Sequence, residues 1–245
     1  MADGIIELKN TSFFAQNIKV VQDVSCSFPE GKTTALVGPS GGGKSTVLKL
    51  SAGLLVPSHG EVFFRGKNIS LMNRKENLDF RREGAVVFQD SALWANQNLD
   101  QILELPLKLH FPRMTKAERD RRIAEVLGEV GYKKALDIRP SLLSVGEQKL
   151  IAFARAMLCR PTLLFLDEWT ESLDDRAAQR LIALVRRRRE EGDTIILVSH
   201  DFRIIKNLAD YIIMIQEGKL IFSFTGEQIA EDENVARLVE KGIAS

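Results

Sequence analysis

The sequence predicts an α/β chain with a mainly parallel sheet, a strand-rich N-terminal part and an inserted helical segment, and three observations predict it. Residues 163–166 and 194–198 are continuous apolar runs separated by a helical pattern over 175–191, as strands buried on both faces of a parallel sheet require. Short apolar or alternating runs crowd the first 40 residues. Between about residues 92 and 155 the period changes to that of helices.

In chain order, residues 5–8, 19–28 and 33–37 read as strands, with Pro29-Glu30-Gly31-Lys32 as the turn between the last two. The segment Gly38-Pro39-Ser40-Gly41-Gly42-Gly43-Lys44-Ser45 follows at once and opens a helix predicted over 44–54. Its glycines bring backbone N–H groups close to phosphate oxygens, and the helix N-terminus adds positive potential. In this pattern Lys44 reaches the β- and γ-phosphates and the Ser45 hydroxyl ligates Mg²⁺. Pro57-Ser58-His59-Gly60 is another turn, and 61–64 and 85–88 are further strands. Thr115 to Glu118 is a capping box, and Ile123, Val126, Leu127 and Val130 share one face of the helix it starts. Strands over 211–215 and 220–224 flank the Glu217-Gly218 turn. The stretch after about 226, with Ile229, Val235, Leu238 and Val239, reads as a short helical tail.

At 245 residues, with 44% hydrophobic and 27% charged, the chain can bury a substantial core. One domain with an inserted subdomain suffices: core about 1–91 and 156–225, helical part about 92–155, tail 226–245. A net charge of +1 gives no basic excess of the kind that marks nucleic-acid binding, so no direct nucleic-acid partner is expected. The run of arginines at 186–189 ends an amphipathic helix and reads as a solvated helix end. Cys26 and Cys159 lack disulfide or zinc spacing, which suits a reducing compartment. No window approaches the roughly 18 consecutive apolar residues of a membrane span, and the N-terminus lacks a signal-peptide core. Contact with a membrane is therefore expected through partners, from the cytoplasmic side.

Asp167 and Glu168 follow directly after the buried run 163–166, so a strand delivers two carboxylates to the end of the sheet, where such folds bind ligands. Asp167 suits Mg²⁺, held directly or through water, and Glu168 suits the activation of a water nucleophile. Gln89 follows the strand at 85–88, Leu143-Ser144-Val145-Gly146-Glu147-Gln148 precedes a helix, Ser172-Leu173-Asp174 follows the carboxylate pair, and His200 follows the strand at 194–198. In this order and spacing the set resembles the Q-loop, signature motif, D-loop and switch histidine of ATP-binding cassette (ABC) ATPases, over about residues 5–224.

The resemblance implies a P-loop NTPase core, an N-terminal antiparallel β subdomain and an inserted α-helical subdomain. It also implies ATP held by residues 38–45 and Thr46, with Ser45, Gln89 and Asp167 on Mg²⁺ and His200 on the γ-phosphate. Ser144 and Gly146 would meet the nucleotide of a second ABC subunit, identical or not, and Asp174 would lie at that interface. Separate integral membrane permease subunits would complete a transporter. Residues 88–94 look similar to the matching stretch of Mla- and Mkl-type lipid-transport ATPases, which implies a lipid cargo, and Leu93 and Trp94 are candidates for the contact with the membrane subunits, with packing within the helical insertion as the other reading of both.

The sequence also departs from the pattern. Val145 and Glu147 stand where the family has glycine and glutamine, and Trp169 stands where it has proline. The adenine-stacking aromatic aligns with Ala15, leaving Phe14 or Phe13 as substitutes, with packing in the core as the other reading of both. The altered signature suits a regulatory, catalytically weak subunit, which the intact Lys44, Asp167, Glu168 and His200 oppose. A soluble ABC ATPase outside transport is the other competitor, although neither heptads nor an internal repeat is present. His59 and His110 match no motif and read as surface residues.

Overall fold

The computed structural model describes residues 4–244. An antiparallel sheet comes first, in the order β2-β1-β4-β5, built from β1 (Ile6–Ala15), β2 (Ile18–Phe28), β4 (His59–Phe64) and β5 (Lys67–Asn68). Strand β1 runs seven residues beyond the apolar stretch that predicted it. Bulges between Leu8 and Phe14 absorb the polar residues that looked like a break, and Asn10 sits there in the left-handed region at φ 48°. Gln16 and Asn17, also at positive φ, make the tight turn into β2.

The second sheet has the order β10-β9-β3-β8-β7-β6. Its parallel members are β3 (Thr33–Val37), β6 (Gly84–Val87), β7 (Leu163–Asp167), β8 (Thr194–Val198) and β9 (Tyr211–Gln216), and β10 (Lys219–Thr225) closes one edge antiparallel to β9. Strands β3, β7 and β8 are buried along their whole length, and alternate side chains feed two cores. Leu36, Phe165 and Ile196 face helix α1 (Lys44–Ser51) and the antiparallel sheet; Val37, Leu166 and Leu197 face the helices on the other side. Helix α1 stops three residues before its predicted end, where the Leu54 N–H folds back onto Lys49 O.

Helix α2 (Arg74–Glu83) has no counterpart in the sequence reading. Only Phe80 of its ten residues is buried, so its apolar period is too sparse to register. The helical subdomain contains α3 (Leu99–His110), α4 (Lys116–Val130) and α5 (Val145–Met157), whose Ile102, Leu103, Val126, Val130 and Phe153 pack into one core. Each of the three helices starts with a reciprocal capping box, from Asn98, Thr115 and Ser144.

After β7 come α6 (Asp175–Glu190), α7 (Phe202–Leu208), α8 (Gly226–Glu231) and α9 (Glu233–Ala244). The arginines ending α6 are more than a solvated end. Arg188 pairs with Asp193 and donates to Pro161 O, and Arg189 reaches Asp210 Oδ1 at 2.7 Å, so they pin the helix to the turns that lead into β7, β8 and β9. In the tail Val239 is buried, whereas the side chains of Ile229, Val235 and Leu238 lie outside the described residues. His110 is half-buried with no partner for Nδ1, so it is not the surface residue expected; His59 is exposed. Among the described residues no helix is long and apolar enough to cross a membrane.

Candidate active site

The glycine loop leaves β3 and wedges against the end of β9. At Gly38, φ is 137° and a Cβ would stand 2.0 Å from Ile215 O, so only glycine fits. Gly43, the N-cap of α1, has φ 102° and no side chain to offer as a cap. The first-turn N–H groups of α1 therefore face outward without a side-chain acceptor, which is the arrangement that binds phosphate. Lys44 is buried, and its Nζ donates to Gly38 O and Pro39 O, both at 2.8 Å. Burial lowers its pKa, and Glu168 and Asp167 oppose that. Ser40 and Gly41 are exposed at the tip of the loop, and Ser45 and Thr46 are half-buried in the first turn of α1.

Strand β7 brings the acidic pair to this loop. Ser45 Oγ donates to Asp167 Oδ1 at 2.8 Å across 122 residues of sequence. Burial raises the pKa of Asp167, and the Ser45 hydrogen bond, Lys49, Lys149 and Lys44 pull it back. Glu168 has φ 45°, a strained backbone for a non-glycine residue, held by its N–H to Val198 O at 3.1 Å. Its carboxylate is buried, and His200 Nε2 lies 3.3 Å from Oε1. Burial, with Asp167 and Glu171 adding repulsion, pushes the Glu168 pKa up to about 7. A carboxyl poised there can take a proton from water near neutral pH.

Gln89 is exposed just beyond β6, and a cavity of about 410 Å³ is lined by Ser45, Lys49, Phe88, Gln89, Asp90, Ala92 and Asp167. Two hydroxyl or amide oxygens and one carboxylate are hard oxygen donors of the kind Mg²⁺ takes together with substrate phosphates. In this structure Gln89 Nε2 donates to Glu171 Oε2 at 2.9 Å. Trp169 is fully buried in the core with its indole N–H unpaired, so the residue in the proline position works as packing behind Glu168.

The remaining predicted residues lie apart from this cavity. Ser144 caps α5 and accepts from the Glu147 N–H, while Glu147 Oε2 accepts from the Ser144 N–H at 3.0 Å and its other oxygen pairs with Lys134 at 2.5 Å. Val145 is 61% exposed. A Cβ on Gly146 would meet the chain's own Ser172 O at 3.0 Å, so the signature turn packs on the loop after the carboxylate pair. Asp174 caps α6 through the Ala177 N–H at 2.8 Å. Of the two candidate aromatics, Phe13 packs into the core, whereas Phe14 is 37% exposed, edge-on to His59 at 5.9 Å. Leu93 packs against the core, and exposed Trp94 stacks under the Arg155 guanidinium at 5.7 Å. Sequence reading missed Lys49, Lys149 and Glu171. Lys149 had a signal: it falls on the buried stripe of α5 with Ala152, Phe153 and Ala156.

The ABC transporter family matches residues 21–171. The methionine import ATP-binding protein MetN 1 of Rhodococcus jostii is 31% identical over 210 residues, which cover 85% of this chain and 62% of that protein, so the chain spans less than two thirds of that relative. The nickel import ATP-binding protein NikE of Escherichia coli O157:H7 is 31% identical over 93% of this chain and 87% of its own length. Among solved structures, the dimeric post-hydrolysis state of the ATP-binding cassette MJ0796 bound to ADP and Pi superposes with a TM-score of 0.82 at 27% identity, covering 90% of this chain and 98% of that one. The cbiO1 protein of Clostridium perfringens, part of the ABC transporter complex cbiONQ, has a TM-score of 0.75 at 26% identity, covering 98% and 95%. A glycine loop bonded through Ser45 to a buried acidic strand end, in a fold shared with these cassettes, places the chain in the ABC transporter family as an ATP-binding, ATP-hydrolysing subunit.

Proposed function

We propose that this chain drives transport across a membrane as one of a pair of cassettes that close on ATP and reopen after hydrolysis, beneath separate membrane-spanning subunits. The observation that carries the reading is the Asp167–Ser45 bond that joins the acidic strand end to the glycine loop, with the buried Glu168 carboxyl one residue on, beside His200. The loop N–H groups from Gly38 to Thr46 and Lys44 hold the phosphates. Ser45, Asp167 and Gln89 would hold Mg²⁺, which neutralises charge developing on the phosphate oxygens. Glu168 takes the proton from the attacking water as that water's oxygen bonds to the γ-phosphorus. The bond to the ADP oxygen then breaks. His200 steadies the γ-phosphate, and exposed Phe14 stacks on adenine.

Ser144 and Gly146 reach the nucleotide of the partner, with Asp174 at the shared face. That the MJ0796 cassette is dimeric and that cbiO1 belongs to a larger complex support this assembly. The weak-subunit alternative rests on Val145 and Glu147, and Glu147 is already committed to its capping box and Lys134. For cargo, the relatives described above are named for import of methionine and nickel, which supports inward movement of a small solute. The lipid expectation gains nothing from them. The test is purification of the tagged chain from membranes under ATP-trapping conditions. A membrane-spanning companion supports the reading; ribosomes or DNA in its place overturn it.

A further inference from the structure

Lys149 is 1% exposed, and an ammonium without partners would not survive such burial. Its Nζ donates to Phe88 O at 3.5 Å, to Glu168 O at 3.3 Å and to Gln89 O. An ammonium has three N–H bonds to give, and here three carbonyls receive them. Those carbonyls belong to the two segments that carry Gln89 and Glu168. Four carboxylates, of Glu171, Asp167, Asp90 and Glu168, support the positive charge against the effect of burial.

The same lysine stands one turn inside α5, the helix that Ser144 caps and whose first residues include Gly146. The Gln89 side chain, bonded to Glu171, closes a second link between the two segments. Glu168 is held at a φ of 45° that its neighbours must enforce, and its carbonyl is one of the three that the ammonium grips. Arg155, further along the same helix, holds Ser91 O and Ala92 O beyond Gln89, but Lys149 alone bonds both Gln89 O and Glu168 O.

We propose that Lys149 is a positioning residue that couples displacement of α5 to the placement of Gln89 and Glu168, so that engagement of the signature turn by a partner cassette is felt at this chain's own hydrolytic site. The proposal rests on Glu168 acting as the base. Without the ammonium, Glu168 O and Gln89 O lose their common donor and only the Gln89–Glu171 bond still joins the two segments beyond the sheet, while the phosphate loop is untouched.

The experiment compares Lys149→Met, Lys149→Gln, Glu168→Gln and the double variant Lys149→Met/Glu168→Gln in the full chain, reading steady-state and single-turnover hydrolysis, KM for ATP and binding of a fluorescent ATP analogue. Lys149→Met is expected to lower kcat about 10- to 100-fold, as a displacement of the order of 1 Å does, with KM and analogue binding unchanged. Lys149→Gln, which keeps two N–H donors, recovers part of the loss. In the Glu168→Gln background the lysine change costs nothing further, because both act on one step. Wild-type kcat in both lysine variants overturns the proposal, as does a loss that multiplies fully with that of Glu168→Gln. Should Lys149→Met fail to fold, Lys149→Gln alone decides by its kcat. Undiminished turnover in Glu168→Gln instead removes the base assignment and leaves the lysine result to be read separately.

Discussion

In the proposed function both the glycine loop with the end of β7 and the signature turn at the start of α5 meet phosphate, yet the two are finished to different degrees. In the first, Lys44, Asp167 and Glu168 are all buried and each has a partner before any ligand arrives, Lys44 in its own loop, Asp167 in Ser45 and Glu168 in His200. In the second, Ser144 is bonded only within its own turn and Val145 stands in solvent. Groups that act on the chain's own nucleotide can be preorganised by its core, which is where electrostatic stabilisation is strongest. Groups meant for a partner's nucleotide must stay on the surface, where only local capping can order them.

The largest expected break in this contrast is at Glu168. Glu168→Gln should lower turnover about 10²- to 10⁴-fold, the usual worth of a general base, while ATP binding persists and an ATP-bound dimer accumulates in light scattering. Full turnover would falsify the base assignment. Next comes Ser45→Ala, which leaves the buried Asp167 carboxyl without its donor. The Mg²⁺ concentration for half-maximal turnover should rise by roughly 10-fold, as it does when groups around a metal ligand are removed; a titration of activity against Mg²⁺ reads it, and an unchanged midpoint argues against this site.

A smaller effect is expected on the exposed side. Val145→Gly should tighten ATP-dependent dimerisation a few-fold in the Glu168→Gln background, at a stability cost of no more than about 1 kcal/mol for glycine in a helix. Unaltered dimer affinity would mean that the turn accommodates valine.

The smallest effect concerns pH and stability. The folded Glu168 carboxyl binds its proton up to about pH 7, against 4.5 for an ordinary glutamate. Between those values the native state holds more protons than the unfolded one, so this group's contribution falls as pH rises through the window. The Tm advantage of Glu168→Gln over the native chain should therefore grow from pH 5 to pH 8. Turnover of the native chain moves oppositely, since the base must be ionised: it falls roughly tenfold per unit well below pH 7.

What the sequence made legible follows the same division. The buried runs of β3, β7 and β8, the loop between β3 and α1, and the capping box at Thr115 are local patterns, and each is present where expected. Helix α2 escaped because a surface helix with one buried residue has almost no period, although its Asn73–Glu76 capping box was there to be read. The meeting of Ser45 with Asp167, the burial of Trp169 and the grip of Lys149 on Gln89 and Glu168 join positions 19 to 122 residues apart or depend on packing depth, and no local pattern encodes them. The arginines of α6 misled for the same reason, since their partners Asp193 and Asp210 come from later turns.

The ammonium of Lys44 rests on the carbonyls of Gly38 and Pro39 before any nucleotide enters. With Lys44 on the phosphates as proposed, an arriving triphosphate would swap one set of acceptors for another instead of recruiting an idle cation, and the net gain would be the difference between them. In a receptor of this sort, the lysine's discrimination would rest on how many phosphate oxygens the newcomer offers in return for the two carbonyls it displaces.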